Sequence, residues 1–313
     1  MPIEIGNTID GSIKAPFRDM QMLAILLLMG AVVFAVSYLS AILIFNSLPA
    51  ELGAILALNS FSFWAIAELL VEILGLLLLN YIIITFFINM VIVKAFYGKR
   101  LNFNKAAGMA ASRYLPAVGT EVLILLIFAI PMVVVGGAFA LNPILGFIFL
   151  MIYLILAVYV GVKLVVAIPA AVIGDKNPFE SIKASWKMTK DWWAIFATVL
   201  IIGIIILILS YVIALPSSQI LQHGIRAQII NSTGAYRTNL NSTSTNQNAL
   251  KNEEQGILKS VLSEILNRFY SPVYVVVGFV TQAIAMVIES WLIISTVLIY
   301  GQLAKAAKRK NKR

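Results

Sequence analysis

The sequence predicts an all-α polytopic integral membrane protein with six transmembrane helices, cytoplasmic amphipathic interfacial helices and a threefold internal repeat. Three observations lead there. Of 313 residues, 61% are hydrophobic and 12% are charged, far from the balance of a soluble domain. Several runs of about 20 or more residues are almost free of charge, long enough to cross about 30 Å of hydrocarbon as helix. They do not show the short apolar–polar alternation of barrel strands. Finally, the lysines and arginines crowd some connections and are missing from others.

In chain order, Met1 to Asp19 is polar and carries Lys14 and Arg18. The apolar run behind it is too long for a signal-peptide core and has no small-x-small cleavage site, so no cleavable leader is expected. Spans are expected at 20–45, 70–97, 117–141, 144–173, 194–215 and 273–300. The second connection carries Lys99, Arg100, Lys105 and Arg113, and the fourth carries Lys176, Lys183, Lys187 and Lys190. The tail adds Lys305, Lys308, Arg309, Lys310, Lys312 and Arg313, whereas the first and third connections have no basic residue. By the positive-inside rule this sets a multi-pass cell-membrane protein with both termini cytoplasmic.

The run from Phe61 to Tyr97 is too long for one perpendicular span at 1.5 Å per residue. Its outer part, with Trp64, Glu68 and Glu72, is expected at or beyond the outer surface. Glu68 and Glu72 share a helix face, which suits a solvated rim or a cation or proton site. The fifth connection, 216–272, is the one sizeable extracytoplasmic insertion. It is rich in Ser, Thr and Asn and holds two sequons, at Asn231 and Asn241, as candidates for N-glycosylation. From Ile257 to Phe269 it shows a second amphipathic stripe, suited to lie on lipid, to cover the outer ends of the spans or to dock a protein partner.

The stretch from Gly174 to Trp193, GDKNPFESIKASWKMTKDWW, is the densest in signals. Asn177 can cap a helix, Pro178 suits its first position and Glu180 completes a capping box. Phe179, Ile182, Trp186 and Trp193 recur near helical spacing, while Lys183, Lys187 and Lys190 gather on another face. This reads as a helix lying on the membrane surface, with anionic lipid as the expected contact.

Weaker copies recur. An offset of 76 pairs Gly98 with Gly174, Arg100 with Lys176 and Phe103 with Phe179, and Ser12–Arg18 resembles Ser181–Lys187. Tyr300-Gly301 echoes Tyr97-Gly98 at the end of a span. Three units are therefore expected, beginning near Gly11, Leu101 and Asn177, each an amphipathic segment followed by an outward and an inward span.

The run Pro178-Phe179-Glu180-Ser181-Ile182-Lys183-Ala184-Ser185-Trp186, followed by Lys190 and Trp193, resembles the signature of a broad prokaryotic group of six-span proteins. These are related to the membrane domain attached to some glycerophosphodiester phosphodiesterases and to the YciC-like envelope proteins. The resemblance implies a helical membrane module; the phosphodiesterase catalytic domain is not expected, since nothing in the sequence offers its His- and Glu-rich metal-dependent site.

Ionisable residues inside apolar runs are costly and mark function or packing. Lys163 and Glu289 lie at similar expected depth in the fourth and sixth spans and are expected to meet as an intramembrane ion pair. That pair would fix helix packing or relay protons or ions. Glu121 and Lys94 are placed nearer the inner interface, as rim residues or a second pair. Pro131 and Pro169 should bend their spans, and Gly136-Gly137 should allow close helix packing. There is no cysteine and a single histidine, His223. No phosphate-binding glycine loop, nucleophile elbow or metal-ligand cluster occurs, so no catalytic residue, metal, cofactor or nucleic-acid partner is expected and an enzyme is not. The function expected is a membrane scaffold or accessory subunit in the cell envelope, contacting lipid and a protein partner through 216–272. The alternative is a small transporter or channel built around Lys163 and Glu289.

Overall fold

The chain is described by a computed structural model over residues 3–56, 63–190, 192–213, 215 and 271–310. The sequons, the 257–269 stripe and His223 lie outside the described residues. The described chain is helical, without strands among those residues. In order, α1 is Ile5–Arg18, α2 Met20–Leu56, α3 Phe63–Tyr97, α4 Phe103–Ser112, α5 Tyr114–Leu141, α6 Pro143–Leu164, α7 Ala167–Val172 and α8 Pro178–Met188. They are followed by α9, Trp192–Ile213, and α10, Pro272–Lys310. Six of these are long and apolar enough to cross a membrane: Met20–Leu43, Leu70–Arg100, Tyr114–Leu141, Pro143–Val172, Trp192–Ile213 and Pro272–Ala307. The expected spans fall on them one for one.

Local chemistry sets the joints. Asn102, Asn142 and Asn177 each stand before a helix with extended backbone and accept from its first free amides, those of Lys105, of Ile144 and Leu145, and of Glu180. This is the capping bond that unsatisfied helix N-termini require. Proline follows two of these caps, at 143 and 178, where its missing N–H costs nothing. The two prolines expected to bend spans behave differently. Pro169 cannot donate to the carbonyl of Val165, four residues back, and the fourth span breaks at Val165–Val166 into α6 and α7. Pro131 sits inside an α5 that runs unbroken. Tyr300-Gly301 ends no helix, because α10 continues to Lys310.

The chain divides into two compact units. The first comprises 1–29, 83–208 and 286–313; the second comprises 30–82 and 209–285. In the first, one core joins Ile3, Val162, Val166, Ala170, Ile195, Ile299 and Tyr300, and another joins Ile92, Val93, Ala106, Ala117, Val172 and Val297. Gly174 is required there. A Cβ at this position would lie 2.5 Å from the Ala170 carbonyl oxygen and 2.8 Å from the Tyr300 hydroxyl. In the second unit, α2 and α10 touch through Gly30, whose added Cβ would meet the Ala283 Cα at 2.7 Å. Small residues at such crossings let helix backbones approach where lipid supplies no hydrophobic drive.

Along α5 and α6 the apolar side chains face outward, among them Leu125, Ile130, Val133, Ile144 and Ile155. A surface this apolar belongs against hydrocarbon. Gly136 and Gly137 have open space beside them, so the close packing expected there does not occur within the described chain.

Candidate functional site

The site is built on α8. Taking about 100° per residue, Ser181, Ser185 and Thr189 form one stripe. All three are fully buried. On the other side Phe179, Trp186 and Trp193 are 74%, 45% and 66% exposed. The lysines at 183, 187 and 190 are also exposed. They adjoin the aromatic side chains in one continuous arc, where the sequence had suggested a separate face. The face of α8 turned to the protein is thus its small hydroxyl stripe, and its aromatic and cationic face is left outward.

Lys163, at the last turn of α6, holds that stripe in place from both backbone and side chain. Its carbonyl accepts the Ser185 hydroxyl at 2.7 Å and the Thr189 hydroxyl at 3.2 Å. Its ammonium donates to the Thr189 carbonyl at 2.6 Å. Thr189 is the residue that ends α8, so a cation here satisfies a free carbonyl and suits the negative end of the helix dipole. The ammonium also stands 5.6 Å from the centre of the Tyr159 ring, within cation–π range. Tyr159 packs edge-on to Trp186 and Trp192, and Trp192 stacks on Trp193. Such a girdle of amphipathic rings is characteristic of a membrane–water boundary. Against α5, Pro178 fills the space left by Gly119, where a Cβ would approach its Cγ to 2.7 Å.

A pocket of about 610 Å³ opens along this helix. Four lysines line it, Lys163, Lys183, Lys187 and Lys190, together with Phe179, Ile182 and Trp186. Lys163, only 7% exposed, is the most deeply buried of them.

The expected pairing of Lys163 with Glu289 is not seen among the described residues. The break at Val165–Val166 puts Lys163 at a helix end beside α8, where Thr189 supplies its partner. Glu289 is exposed on α10, and no ion pair joins the two among the described residues. Among the described residues, the deeply buried ion pair is a different one. Lys94, fully buried, meets Asp19 at 3.1 Å and donates to Gln21 at 2.9 Å and to the Leu101 carbonyl at 2.5 Å. It ties the α1–α2 elbow to the turn after α3. Glu121 accepts from the Thr85 hydroxyl at 3.3 Å. Glu72 is exposed, while the side chains of Trp64 and Glu68 lie outside the described residues. Arg113 pairs with Asp175, whose φ of 53° places it in the left-handed region at the turn after α7. Sequence reasoning singled out neither the hydroxyl stripe nor Asp19. The signal was present, in hydroxyl residues spaced four apart at 181, 185 and 189.

Residues 124–233 match the family model described as the membrane domain of glycerophosphoryl diester phosphodiesterase. This bears out the resemblance carried by the Pro178–Trp186 run, which lies inside the match. No curated protein and no solved structure matches the chain.

Proposed function

We propose that this chain, similar over 124–233 to the membrane part of a glycerophosphoryl diester phosphodiesterase, is a non-catalytic membrane scaffold or accessory subunit. In the family's description the domain is the membrane portion of an enzyme. A membrane module of this kind is suited to position a separate protein at the bilayer. The observation that carries the reading is the mounting of α8. Its polar stripe is fastened to Lys163, which leaves an aromatic and cationic face outward for lipid and partners. The same geometry weighs against a transporter centred on Lys163 and Glu289, because Lys163 anchors a surface helix and no ion pair joins it to Glu289 among the described residues. In this reading both termini and α8 are cytoplasmic, as the distribution of basic residues implies, and 216–272 offers a second contact on the outer side.

The threefold repeat belongs to the same proposal, in a revised register. α1, α4 and α8 begin after Glu4, Asn102 and Asn177. In each, the residues four and eight places after that position are small and buried: Thr8 and Ser12, Ala106 and Ala110, Ser181 and Ser185. Counted from these starts, Phe103 corresponds to Pro178 and Ser12 to Ser185, each displaced from the alignment drawn on sequence alone.

The test is purification of the full chain from native membranes in gentle detergent. A protein partner in stoichiometric amount, lost on deletion of 217–268 or on combined Lys183→Gln, Lys187→Gln and Lys190→Gln substitution, is the expected result. A partner-free particle that carries ion flux in liposomes, with flux abolished by Glu289→Gln, would overturn it in favour of the transporter.

A further inference from the structure

We infer that the pocket along α8 is a binding site for a phosphate ester, with the headgroup of an anionic glycerophospholipid as its occupant. This deepens the lipid contact proposed above and rests on it.

Three features of the pocket point to an anion. Four of its lining side chains are lysines, and among the described residues none is acidic. Lys183 and Lys187 stand one turn apart on α8, and Lys190 follows just beyond its end, so like charges crowd one another along this edge. Lys163 is buried with three donors, yet among the described residues its ammonium has one acceptor, the Thr189 carbonyl, and no carboxylate within ion-pair distance. A buried cation with donors to spare is costly. One anion with several oxygens relieves both strains, by accepting from Lys163 and neutralising that edge. Phosphate suits this better than a carboxylate because its oxygens accept from several directions, and lysine serves it as a point charge.

The remaining wall selects a lipid. Phe179, Ile182 and Trp186 line the same pocket, so an apolar surface begins where the cationic one ends. Phe179 and Trp186 remain exposed beside it. A free phosphate would leave that wall wet, whereas the glycerol and upper acyl chain of a phospholipid would cover it. The aromatic cluster of Tyr159, Trp192 and Trp193 sets the pocket at the depth where headgroups lie.

The test is calorimetric titration of the delipidated full-length protein in neutral detergent with short-chain phosphatidylglycerol, short-chain phosphatidylcholine and inorganic phosphate. Saturable binding of phosphatidylglycerol to a single site is expected. The combined Lys183→Gln, Lys187→Gln and Lys190→Gln variant should bind about tenfold more weakly or worse, given roughly 1 kcal/mol per basic residue near an anionic surface. These lysines are exposed, so its melting temperature should match the parent, and Lys187→Glu alone serves as a second variant with the same direction of effect. Equal affinity for phosphatidylcholine, or undiminished affinity in both variants, would overturn the site. Inorganic phosphate binding as tightly as the lipid would assign the pocket to free phosphate. Weak competition by phosphate assigns it to the lipid. Partner recovery is read separately on the unsubstituted chain, so absence of phosphatidylglycerol binding with the partner recovered removes this inference and leaves the scaffold standing.

Discussion

Lys94 and Lys163 are both lysines of apolar runs, and their surroundings assign them different work. Lys94 is fully buried against Asp19, Gln21 and the Leu101 carbonyl. Lys94→Met therefore strands Asp19 without its cation. We expect a loss of about 3 kcal/mol, the cost of removing one partner of a buried pair, read as a lowered melting temperature in detergent. Asp19→Asn added to it should recover part of the loss. Ser185→Ala removes one hydroxyl from the Lys163 carbonyl and should cost about 1 kcal/mol. A melting temperature unchanged by Ser185→Ala would show that the stripe is held by packing alone. Gly174→Val forces two branches into space where even one Cβ comes within 2.5 Å of a carbonyl oxygen. It should cost about 1–3 kcal/mol as an overpacked site, measured in the same melt.

At the scale of the element, the start of α8 is a capped helix joined by a short link to α7. Asn177→Ala removes the bond to the Glu180 amide and should weaken the first turn by about 1 kcal/mol. Faster hydrogen exchange confined to the first turn of α8 is the signature to measure. Exchange unchanged there would mean that Pro178 and its seat on Gly119 hold the turn without the cap. Much of this element was legible, since Asn177-Pro178-x-Glu180 is a local signal that tertiary packing does not override. What could not be read was which face of α8 turns inward. Aromatic spacing suggests an apolar face, and in water that face would be buried. Beside a bilayer the rule reverses, because lipid accepts Phe179 and Trp186 while hydroxyls seek the carbonyl of Lys163. The break at Val165–Val166 was half legible. Pro169 marks it, but Pro131, an identical signal, leaves α5 continuous, and only the surroundings distinguish them.

At the scale of the whole molecule, the six spans were legible because hydropathy over about 20 residues depends on no partner. The ion pairs were not, because pairing depends on which helices adjoin and how each is rotated, and a spacing in sequence records neither. Topology can be tested without engineering a background, since the chain has no cysteine. Single cysteines replacing Lys99 and Lys176 should react with a membrane-impermeant maleimide only from the cytoplasmic side. A cysteine at Asn142 should react only from outside. Labelling of Lys99→Cys and Asn142→Cys from the same side would overturn the six-span orientation.

Between α5 and α6 only Asn142 lies outside a helix, and it caps the second of them. Two strongly apolar helices are thus joined by a single polar residue. During synthesis α5 can hardly wait across the bilayer with its far end anchored in water, because no hydrophilic stretch follows to hold it there. The two must enter the membrane together, as a preformed hairpin pushed in from one side. A stop placed between Leu141 and Pro143 would then leave a nascent chain whose last helix has nothing to turn back on, a natural substrate for membrane quality control.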